Sequence, residues 1–136
     1  MHTSLFQKKS IHPSILLSTL WVFVLMNMIY ADIIGTLRPG YIEMLDQISK
    51  ELDQLSVLMF SVLMEIPIVM ILLSLVLNQK VNRIANLVAV PLSIIWVIYG
   101  GLTDPPLSYL FFGSVEVAAL LFIGWTAFKW NLKQNG

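Results

Sequence analysis

The stretch LSVLMFSVLMEIPIVMILLSLVL, residues 55–77, decides the fold. It is long and apolar enough to cross a bilayer, since about twenty apolar residues span the hydrocarbon core. Yet it carries a carboxyl, Glu65, at its centre. Three further runs have the same character: 14–36, 84–101 and 107–130. Four such runs predict an all-α fold, an integral membrane antiparallel four-helix bundle. The joins between spans two, three and four are short, which makes sequential helices antiparallel neighbours. LTDPPLS, 102–108, reads as a tight turn, because its prolines end one helix and start the next.

Composition agrees. Of the 136 residues, 57% are hydrophobic and 12% charged. A soluble domain carries about a quarter charged residues. The length suits a single polytopic domain over 1–136. Net charge is zero, so no bulk field points to nucleic acid, and the expected partner is the lipid bilayer. There are no cysteines, which excludes disulfides and thiolate metal sites. Both histidines, His2 and His12, precede the first span, so no intramembrane histidine pair holds haem. No metal motif, phosphate-binding glycine loop or nucleophile elbow is present, and no cofactor is expected.

Lys8 and Lys9 precede the first span as they would precede a signal peptide. The apolar run is too long for an h-region, and no small-x-small site closes it, so it reads as a retained helix. Lys8, Lys9, Lys80, Arg83, Lys129 and Lys133 fall on one side of a four-span arrangement, Arg38 and Lys50 on the other. The positive-inside rule then places both termini in the cytoplasm, in a cell (inner) membrane. Trp125, Trp130, Tyr30 and Tyr109 lie near span ends, as interfacial anchors do.

Between spans one and two, RPG (38–40) is a turn, and YIEMLDQISKELDQL sets Ile42, Leu45, Ile48, Leu52 and Leu55 at helical spacing. This predicts a short extracytoplasmic amphipathic helix. It could be a lid over a cavity, or an interfacial helix with its apolar stripe tucked against the bundle. Its acidic excess argues against a search for anionic lipid.

The buried chemistry is a matter of depth. At about 1.5 Å per residue, Glu65 lies roughly 15 Å from Leu55, Glu116 roughly 14 Å from Leu107, and Asn27 roughly 14 Å from Thr36. Ser93 falls near the same layer. A charged side chain facing lipid at the bilayer centre costs at least about 2.5–3.5 kcal/mol. Both glutamates are therefore expected to face inward. No Lys or Arg shares their depth, and two carboxyls in low dielectric without a cation will not both ionise. Either one keeps its proton and hydrogen-bonds, or a cationic ligand neutralises them.

Ser61 lies four residues before Glu65, Tyr30 three after Asn27, and Tyr109 and Gly113 seven and three before Glu116. Asn82, Asn86 and Ser93 form a stripe on span three. The candidate ligand-binding set is therefore Glu65, Glu116, Asn27, Tyr30, Ser61, Ser93 and Tyr109. Asp32 and Arg38 stand at the pocket mouth, Asp32 as a cap or as a partner for Arg38. Pro67 and Pro91 free the carbonyls of Leu63 and Leu87 and predict kinks. The structural alternative is that these groups are interhelical glue, worth about 0.6 kcal/mol each on average.

The segments NMIYADIIGTLRPGY, MEIPIVMILLS, VNRIANLVA and YLFFGSVEVAALL, in this order, resemble a family of small four-span bacterial membrane proteins of unknown function. The resemblance covers nearly the whole chain and implies a fold and a location, with no reaction attached. The layout also looks like that of DoxX-type four-helix membrane proteins. Three functions remain open: binding or carrying a small lipophilic or cationic molecule; proton- or cation-coupled transport, which four helices would serve as a homodimer; and acid–base catalysis by the glutamate pair on a membrane-embedded substrate.

Overall fold

The computed structural model describes residues 11–101 and 105–130. Lys8, Lys9, Lys133, His2 and Asp104 lie outside them. Five helices follow in order: α1 (Pro13–Gly35), α2 (Tyr41–Glu51), α3 (Gln54–Val76), α4 (Gln79–Gly100) and α5 (Leu107–Lys129). α1, α3, α4 and α5 are each long and apolar enough to span a membrane.

Local chemistry sets their ends. Pro13 opens α1, where its missing N–H costs nothing, and the His12 ring accepts from Ser14 N–H at 3.3 Å. Asp53 caps α3 by accepting from Ser56 N–H at 2.9 Å, and Asn78 caps α4 by accepting from Val81 N–H at 3.1 Å. The third span thus begins at Gln79, five residues before the apolar run at Ile84. Hydropathy locates the lipid-soluble stretch, whereas the cap locates the helix. Gly40 precedes α2 at φ 79°, a left-handed conformation that L side chains resist.

The four long helices form a ring in which α1 packs on α3 and α5, and α4 packs on the same two. α1 therefore faces α4 across one diagonal, and α3 faces α5 across the other. The His12 and Trp130 rings lie 5.9 Å apart, which puts the start of α1 and the end of α5 at one end of the bundle. We call this the terminal end; α2 lies at the other.

The two halves differ in packing. Leu17, Trp21 and Val24 of α1, Pro67 and Ser74 of α3, Asn82 and Asn86 of α4, and Leu120 and Ile123 of α5 are all fully buried in the terminal half. A polar network runs through them. Trp21 Nε1 donates to Asn86 Oδ1 at 2.7 Å across the diagonal. Asn86 Nδ2 donates to Asn82 Oδ1 at 2.8 Å, and Asn82 Nδ2 donates to the Ser74 carbonyl at 2.6 Å. Ser18 Oγ donates to the Ile71 carbonyl at 2.8 Å. Such bonds are costly to break where no water can replace them.

α3 and α4 run through Pro67 and Pro91 without interruption. α2 stands apart. None of its residues is buried, and Ile42, Leu45 and Ile48 are exposed. Its apolar stripe is therefore largely open rather than tucked against the bundle as expected, with Ile48 alone of that stripe turned toward bundle residues.

Candidate functional site

Toward the α2 end the ring of helices encloses a cavity of about 330 Å³. Each helix contributes residues one or two turns apart. α1 supplies Met28, Ala31 and Asp32, which continue the buried seam of Leu17, Trp21 and Val24. α3 supplies Phe60 and Met64; α4 supplies Trp96, Val97 and Gly100; α5 supplies Tyr109 and Glu116. The Phe60 and Trp96 rings lie 5.5 Å apart, tilted, as one aromatic wall.

Glu116 is 5% exposed, and no hydrogen-bond donor among the described residues reaches its carboxyl. Tyr109 is half-buried, its hydroxyl 3.5 Å from the Val97 carbonyl. The ring packs directly against Gly100, whose missing side chain is what admits it. No described basic side chain lines the cavity.

A second pocket of about 230 Å³ shares Ala31, Asp32, Gly100 and Tyr109 with the cavity and so continues it outward. Arg38 lines this vestibule, as do Tyr41, Met44 and Ile48 of α2. α2 thus lies over the mouth. Asp32 and Arg38 both line it, and no ion pair joins them. The ion pair among the described residues is Lys50–Asp46 on α2, at 2.6 Å and exposed.

The expected convergence of polar groups is only partly present. Glu116, Tyr109 and Asp32 share the cavity. Ser93 is buried with its hydroxyl unpartnered but does not line the cavity, and Asn82 and Asn86 face inward on the same helix. The others do not join them. Asn27 is half-buried and donates to the Phe23 carbonyl of its own helix at 2.9 Å. Tyr30 is 51% exposed. Ser61 is exposed and donates to the Val57 carbonyl at 2.9 Å.

Glu65 is exposed on the outer face of α3, so the two glutamates do not face each other. Helix rotation is the cause. Pro67, Met70 and Ser74 form the buried face of α3. At about 100° per residue, Glu65 lies about 180° around the helix from Ser74. Gly113 also differs from expectation: it lies outside the cavity, and a Cβ there would meet Val97 Cγ1 at an ordinary 3.5 Å. Neither Leu63 nor Leu87, whose carbonyls the prolines free, lines the cavity.

Sequence reasoning missed Phe60, Met64, Trp96 and Gly100. The signal was available, because each pair is spaced by four residues, and Gly100 ends a helix whose successor carries Tyr109 in its first turn. Trp21 is fully buried, and Trp96 is cavity wall. Tyr109 likewise lines the cavity.

Four membrane-type helices in a closed ring match the small four-span family suggested by the segment order. The profile of a family of unknown function (DUF6326) matches residues 5–135. The chain belongs to this family. Comparison with curated proteins and with solved structures gave no match. For a DUF6326 protein, then, the cavity between the four spans is the feature from which function has to be argued.

Proposed function

We propose that this DUF6326 protein binds a small lipophilic amine in the cavity beside Glu116. The observation that carries this reading is the composition of the walls: Phe60, Trp96 and Tyr109, with two carboxyls and no described basic group. Aromatic faces attract a cation, and more strongly when water is excluded. An ammonium group would give the Glu116 carboxyl the donor and countercharge that the described residues do not supply. Met28 and Met64 add adaptable apolar surface for the rest of the ligand.

In this reading both termini are cytoplasmic, as the positive-inside rule suggests, with Lys80, Arg83 and Lys129 at that end. The cavity then opens toward the extracytoplasmic side, under α2. A transport path would require the terminal half to part, and the Trp21–Asn86–Asn82–Ser74 chain of hydrogen bonds ties that half together. Binding or presentation of a ligand is therefore favoured over transport. Catalysis by a glutamate pair is not carried forward, since Glu65 faces away from Glu116.

The test is native mass spectrometry of the protein released gently from lipid. A bound mass containing a basic nitrogen, lost in Glu116→Leu, supports the reading. A bound mass equally retained in that variant contradicts it.

A further inference from the structure

Glu65 has no function in the cavity, and its position demands an account of its own. It lies eleven residues into α3, near the middle of a membrane-type helix, on a face open to lipid. α3 is the least buried of the four spans. Its outward face reads Leu55, Leu58, Val62, Glu65, Val69, Leu72 and Val76, all exposed. These positions alternate in steps of three and four, the seam of a left-handed helix pair. Any outward helix face has such spacing, so the spacing alone says nothing. The one polar residue at its centre is what distinguishes this face, because a single polar position in an apolar seam sets the register of a pair.

We infer that α3 is the interface of a homodimer, in which Glu65 of one copy meets Glu65 of its partner. Copies of one chain insert in the same orientation, so a two-fold axis along the membrane normal brings identical residues together at identical depth. A carboxyl pair sharing a proton is self-complementary: one oxygen donates and the other accepts. No cation of the described chain lies at this depth to serve instead. The groove beside Glu65, about 300 Å³ and lined by Val62, Ile66, Val69 and Met70, is apolar and open to receive a facing helix.

The chain has no cysteine, so single cysteines report the interface without background. Full-length protein in lipid bilayers would carry Val62→Cys or Val69→Cys on the seam, and Val88→Cys or Phe122→Cys on the outward faces of α4 and α5. The inference predicts disulfide-linked dimers from the seam positions at least about fivefold above the other two faces. Adding Glu65→Leu to Val62→Cys should lower the dimer at least about fivefold, whereas Glu65→Gln, which still donates and accepts, should keep it. Equal crosslinking on all faces, none on the seam, a product with a different protein, or an unchanged dimer with Glu65→Leu would each overturn it. Because Glu65 faces outward, leucine there leaves the packed face of α3 untouched.

Discussion

Trp21 of α1 donates its indole N–H to Asn86 of α4 at 2.7 Å, joining two helices that sit diagonally across the bundle. Both side chains are fully buried. Neighbouring helices in a ring can pack through apolar contact alone, but a diagonal bond fixes the rotation of both helices together. It also separates a closed half of the molecule from an open one.

That relationship predicts the behaviour of Asn86→Leu. The substitution leaves the Trp21 N–H without an acceptor and removes a donor to Asn82. A loss of about 1–2 kcal/mol is expected, between the membrane average for such bonds and the cost of an unsatisfied buried donor. Reversible unfolding of the variant in mild detergent measures it. Trp21→Phe, which orphans the Asn86 Oδ1 acceptor and leaves a void in the core, should cost at least as much.

At the other end, Gly100 should behave as a size filter for the cavity. Gly100→Ala places a methyl where the Tyr109 hydroxyl packs, so the ring must swing away. Tyr109 is a wall of both the cavity and the vestibule. The variant should fold with little change in helicity and lose ligand binding. Unchanged binding would mean that Tyr109 is not a wall that the ligand touches.

Gly40 makes a separate test of α2 placement. Its φ of 79° holds the turn from which α2 departs, with open space around it. Gly40→Ala should strain the turn by about 1–2 kcal/mol through backbone conformation alone. Faster hydrogen exchange confined to the first turn of α2 is the expected signature, with the four long helices unaffected.

The Asp53 cap makes the start of α3 sensitive to acid. The hydrogen bond to Ser56 holds the Asp53 carboxyl below its ordinary value. A carboxyl lowered in the folded state contributes stability above its unfolded pKa and loses it as pH falls through the folded one. The protection of the Ser56 and Val57 amides, relative to their intrinsic exchange rates, should therefore fall on acidification below about pH 4. In Asp53→Ala the same protection should be low at every pH.

Much of the architecture was legible in the sequence because lipid imposes a coarse rule. Four apolar runs of sufficient length had to become helices, and short joins had to make them antiparallel neighbours. RPG marked the turn before α2, and the stripe of Asn82, Asn86 and Ser93 lies on the buried face of α4. What periodicity could not supply was the rotation of each helix against its neighbours. Glu65 shows why. The energetic argument against a carboxyl facing lipid is sound for an isolated chain, yet the inward face of α3 belongs to Pro67, Met70 and Ser74. Asn27 and Ser61 failed for a related reason: each satisfies its polar group on its own helix. The cavity itself was hidden because its walls are Phe60, Met64 and Trp96, residue types that look the same whether they fill a core or line a space.

The most direct test of the amine site is a titration in lipid nanodiscs with a series of phenylalkyl amines, from benzylamine to 4-phenylbutylamine, against their uncharged hydrocarbon analogues. Saturable binding of at least one amine, weakened at least about tenfold in Glu116→Leu and absent for every hydrocarbon, is the predicted result. Equal binding of amine and hydrocarbon, binding indifferent to Glu116, or no amine bound across the series would contradict it.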